Sequence, residues 1–97
     1  MAYSLRRTRD GAGDSGLMSI AIHPNAGPGN EHVYEENGRP QIGAVMRVGS
    51  HYARTMSMQD WWQTTPITAI LEERGEEDGT EYVRFKTGNS EYEWKKF

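Results

Sequence analysis

Residues 80–95 restrict the fold more than any other stretch of this chain. Thr80-Glu81-Tyr82-Val83-Arg84-Phe85-Lys86-Thr87 alternates apolar and polar side chains, and Ser90-Glu91-Tyr92-Glu93-Trp94-Lys95 alternates again. Between them stands Gly88-Asn89, a two-residue pair of the kind that closes β-hairpins. A period of two places Val83, Phe85, Tyr92 and Trp94 on an inward face. Arg84 and Lys86 then face Glu91 and Glu93 on the outward side, each pair contributing about 0.2–1 kcal/mol.

The chain before the hairpin turns at Gln59-Asp60-Trp61-Trp62-Gln63-Thr64-Thr65-Pro66. Ser57 and Asp60, three apart, read as a helix start, which predicts one helical turn near residues 58–63. Thr64, Thr65 and Pro66 return the backbone to extended geometry, and residues 67–73 read as a strand. Ile42, Ala44, Met46 and Val48 form one apolar face of an earlier strand, and residues 51–58 are a further strand candidate. Residues 41–97 thus predict a mainly β domain of about five antiparallel strands, a small barrel or strongly bent sheet.

Residues 1–40 have a different character. They hold Gly11, Gly13, Gly16, Gly27, Gly29 and Gly38 together with Pro24, Pro28 and Pro40, and predict an extended Gly/Pro-rich N-terminal arm. Leu17-Met18-Ser19-Ile20-Ala21-Ile22 is its apolar island, of short-strand length, and His32-Val33-Tyr34-Glu35 reads as a brief edge strand. Only 35% of the 97 residues are hydrophobic, so a partner surface would help so small a domain to fold. The expectation is that Leu17, Met18, Ile20 and Ile22 anchor the arm on a neighbouring chain.

Several chemistries are disfavoured. With no cysteine, disulfides, thiolate metal sites and cysteine nucleophiles are excluded. His23, His32 and His51 have no metal-site spacing, and no G-x-S-x-G elbow stands around any serine. Gly11-x-Gly13-x-x-Gly16 follows a charged tail and is followed by a β-like run ending at Pro24 where a helix should open, so it is no dinucleotide fingerprint. We therefore expect no enzyme, no cofactor and no metal. No apolar run approaches the length of a membrane span, and an intracellular, soluble protein is the expectation. The net charge of −3 disfavours nucleic acid as the partner, although Arg6, Arg7 and Arg9 are candidate phosphate contacts.

Trp61, Arg47, Tyr52 and Arg54 form the candidate ligand or partner surface, because aromatic faces beside guanidinium groups suit stacking. Adjacent strand residues point to opposite faces, so one of Trp61 and Trp62 is expected inside and the other at a partner. Trp62 is the expected inner residue, with an acceptor for its N–H nearby.

Trp62-x-Thr64-Thr65-x-Ile67-x-x-Ile70, followed by Phe85-x-Thr87-x-Asn89-Ser90-x-Tyr92, resembles a group of small, mostly uncharacterised bacteriophage and prophage proteins. The resemblance spans roughly residues 42–94 and implies a phage-type origin without implying an activity. Three function classes follow from the sequence. The first is a non-enzymatic interaction protein that self-assembles or docks on a larger phage or host complex through its arm and the Trp-Trp corner. The second is a small protein that captures a nucleotide, a signalling molecule or a host-defence component. The third is a nucleic-acid-binding small barrel.

Overall fold

A computed structural model of the protein describes residues 2–50 and 61–97. The protein is mainly β, and its described residues form nine strands in two antiparallel sheets that do not close into a barrel. The strands are β1 (Tyr3–Arg7), β2 (Gly13–Gly16), β3 (Met18–His23), β4 (Val33–Glu36), β5 (Val45–Gly49), β6 (Trp61–Gln63), β7 (Ile67–Gly75), β8 (Glu81–Thr87) and β9 (Glu91–Lys96). One sheet runs in the order β2-β1-β9-β8-β7 and the other β4-β3-β5-β6.

The hairpin of β8 and β9 forms as its alternation requires. Val83 pairs with Trp94 and Phe85 with Tyr92, and all four are buried. At the turn, Thr87 N–H donates to the Ser90 carbonyl, and the Thr87 hydroxyl accepts the Ser90 N–H. The charged side differs in detail: Arg84 reaches diagonally to Glu91 at 3.3 Å, while Glu93 accepts from the Tyr82 hydroxyl at 2.7 Å.

The N-terminal forty residues differ from an extended arm, because four of the nine strands come from them. Tyr3 and Leu5 are buried, and β1 pairs with β9 in the register Leu5↔Trp94. The physical reason is a short period-two pattern: Tyr3 and Leu5 point inward, and Ser4 and Arg6 point outward. The chain then bends at Leu17 and passes from the first sheet to the second, and it returns through residues 64–66. The first bend needs a close approach of backbones, since a β-carbon on Gly16 would collide with the Gly49 carbonyl.

Ala44, Met46 and Val48 are buried as their spacing requires, but β5 begins only at Val45 and Ile42 is exposed. The helical turn expected near residues 58–63 does not include Trp61–Gln63, which form β6. There Trp62 pairs with Val48, and tryptophan suits a half-buried pleated surface. The strand candidate over residues 51–58 lies outside the described residues. The single 3-10 turn among the described residues is Pro28–Asn30.

The two sheets are tied by one buried side-chain chain. Trp94 Nε1 donates to Ser19 Oγ at 3.0 Å, and Ser19 Oγ donates to the Gly38 carbonyl at 2.9 Å. Ser19→Ala leaves both the indole donor and the carbonyl without this partner. It is expected to cost about 1–3 kcal/mol, and Leu5→Ala about 2–5 kcal/mol. Thermal melts check both, and a wild-type melt for Leu5→Ala would show that β1 is dispensable.

Candidate functional site

The tryptophan pair sits on a three-residue strand, so its two indoles leave on opposite sides of the sheet. Trp62 packs against the main core, as expected of the inner residue, and Trp61 packs against a second cluster of Met18, Ile20, Ile22 and Val45. Both are half-buried, so neither is a plug in the sense that Trp94, 1% exposed, is. The acceptor expected near the inner indole is missing: Trp62 Nε1 is buried and has no hydrogen-bond partner among the described residues.

Each indole carries an arginine instead. The Arg47 guanidinium lies 4.8 Å from the Trp61 ring centre, and Arg7 lies 5.3 Å from that of Trp62. Such stacking contributes about 0.5–2 kcal/mol. Arg47 is further oriented by Nε donating to Gln63 Oε1 at 2.9 Å. Trp61 and Arg47 are therefore brought together, whereas Tyr52 and Arg54 lie outside the described residues.

Of the four residues expected to anchor an arm, Met18, Ile20 and Ile22 are buried on β3 within this chain, and Leu17 is 70% exposed at the bend. β3 is buried on both sides. Ala21 joins the main core, while Met18, Ile20 and Ile22 face the second cluster. That outer face continues to β4, where Tyr34 pairs with Ile22 and is 54% exposed.

The three N-terminal arginines separate in role. Arg6 donates to the Ser15 hydroxyl at 3.0 Å, and Arg9 projects into solvent. Arg7 grips Asp10 through both carboxylate oxygens, Nε to Oδ1 at 3.0 Å and Nη2 to Oδ2 at 2.7 Å. The hydrogen bonds from Arg7, joined by the Ala12 N–H, hold the Asp10 carboxyl down at about 2. The sequence signal for this turn was visible only as charge.

Arg7 and Arg9 also line a cleft of about 330 Å³ with Thr8 and with residues 86–91 of the hairpin. The part played by Lys86, Asn89 and Ser90 was missed in the sequence, where they read as strand and turn. Elsewhere, His23 Nε2 contacts Glu35 Oε1 at 2.9 Å, and Gln41 donates to the same oxygen. These bonds, Gln41 first, lower the Glu35 carboxyl below its usual range. Among the described residues no group of three histidines and carboxylates is placed to hold a metal ion, and no helix is long and apolar enough to cross a membrane.

No family model, curated protein or solved structure matches the chain.

Two expectations follow. Asp10 has a folded pKa below its usual 3.8. The Arg7–Asp10 clamp is therefore complete above about pH 4 and lost as the pH falls toward 2. A carboxylate-detected NMR titration should show this, with the Asp10 value returning toward normal in Arg7→Gln. Among the tryptophans, Trp94→Ala should lower the melting temperature most, at about 3–5 kcal/mol. Trp61→Ala and Trp62→Ala should each cost less, since both rings are partly exposed.

Proposed function

We propose that this chain is a non-enzymatic, phage-type interaction protein that docks on a larger complex through its four-stranded sheet. The observation that carries the reading is β4. It is the outer strand of that sheet among the described residues, and all four of its residues are exposed. An open edge strand presents unpaired backbone donors and acceptors to any extended segment that can add to it. Val33 and Tyr34 supply apolar contact on that strand.

The face beside the edge supports the same use. Its accessible parts are Tyr34 on β4, 54% exposed, and the half-buried Trp61 on β6 beneath Arg47 of β5, while Ile22 and Val45 between them are buried within the chain. Tyr, Trp and Arg are the residue types that dominate binding energy at interfaces. The former arm residues are spent on the chain's own sheets, so docking by an arm has lost its basis. The Glu31, Glu35 and Glu36 carboxylates flank the edge. They favour an incoming strand with basic side chains over a second β4, where like charges would meet.

A photo-crosslinking amino acid at position 34, in cells that make the protein, tests this. An adduct at position 34 is expected, with none at position 71, an exposed leucine on the other sheet. The adduct mass separates a heterologous partner from a second copy. Equal adducts at both positions, or none at 34, would overturn the edge-docking reading.

A further inference from the structure

The cleft between the two turns has the composition of an anion site that the edge-docking reading does not use. One wall is the β1–β2 turn with Thr8 and Arg9, and the other is the β8–β9 turn with Gly88, Asn89 and Ser90. The walls are fixed to each other. Thr8 donates to the Glu91 carbonyl through its N–H at 2.9 Å and through its hydroxyl at 3.3 Å. The floor is fixed as well, because Arg7 is clamped by Asp10 and stacked on Trp62. A rigid site loses little conformational freedom when it binds.

Charge decides what the cleft would accept. Arg7 is paired with Asp10, and Glu91, which also lines the cleft, is paired with Arg84 at 3.3 Å, a guanidinium that also reaches Glu72 at 3.7 Å. Arg9 stands 3.9 Å from the already occupied Asp10, and Lys86 makes no ion pair among the described residues. Two cations thus remain in excess at the rim, with the Ser90 hydroxyl and the Asn89 amide as neutral donors. Two excess cations with hydroxyl and amide donors match a tetrahedral dianion. A volume of about 330 Å³ is at the lower end of the range for small-molecule sites, which leaves room for a group attached to that anion.

We propose that this cleft binds a small phosphate monoester, held at its phosphate by Arg9 and Lys86 and by the donors of the β8–β9 turn.

The test is an amide-detected NMR titration of the full chain with a nucleoside monophosphate, inorganic phosphate and the unphosphorylated nucleoside. The monophosphate should shift the amides of Thr8, Gly88, Asn89 and Ser90 and saturate with a Kd of about 1 mM or tighter. Phosphate should move the same amides more weakly, and the nucleoside should leave them unchanged. Arg9→Gln combined with Lys86→Gln should weaken binding about tenfold or more. Both side chains are exposed, so the melting temperature should stay at the wild-type value. Three results would overturn the proposal: no saturation by about 10 mM, equal affinity for phosphate and the monoester, or wild-type affinity in the folded double variant.

Discussion

The indole of Trp94 is the contact on which the two sheets depend. In its own sheet Trp94 is paired with Val83 on one side and Leu5 on the other. Its N–H reaches Ser19 in the second sheet, and Ser19 passes the bond on to the carbonyl of Gly38. Burying an indole with an unpaired donor costs free energy, so this hydroxyl is what allows so large a side chain to sit between layers. Gly38 fits for a related reason: a β-carbon there would press on Ala21. The Tyr3 ring, 5.9 Å from that of Trp94, completes the junction and brings the N-terminus into it.

The Trp61–Trp62 pair shows the opposite arrangement. No acceptor among the described residues meets the Trp62 donor, although the atom is buried. Strand geometry puts the two indoles on different faces, and one sheet then has apolar side chains on both sides. Sheets with two apolar faces are usual where both are covered. In this chain the second apolar cluster reaches the exposed Tyr34 at the margin of the sheet. The guanidinium groups of Arg7 and Arg47 sit over the indoles at opposite sides of β6.

Local patterns were legible in the sequence, and long-range pairings were not. The hairpin of β8 and β9 could be read because alternation and turn chemistry lie within sixteen residues of one another. The divergent faces of Trp61 and Trp62 followed from adjacency alone. By contrast, Tyr3–Arg7 is too short to stand out, and its partner β9 lies at the far end of the chain. Gly13–Gly16 reads as loop by composition, yet it is a strand because its backbone pairs with β1 and glycine permits the crowding at Gly49. The cleft shares this origin. Arg7 and Lys86 are distant in sequence, and only the pairing of β1 with β9 sets their turns side by side.

Arg7 belongs to two structures at once. It ends the inward-facing series Tyr3, Leu5, Arg7 and so closes the core beside Trp62. It is also a wall of the cleft. A guanidinium can do both, since its flat face stacks on a ring while its edges donate hydrogen bonds. Lysine in its place would keep the charge but lose the stack and the two-point grip on Asp10. The position of the β1–β2 turn, and with it Thr8 and Arg9, depends on that grip, because Asp10 also receives the Ala12 N–H that closes the turn. The shape of the cleft is therefore set from the core outward, through one residue that the sequence presents merely as one of three neighbouring arginines.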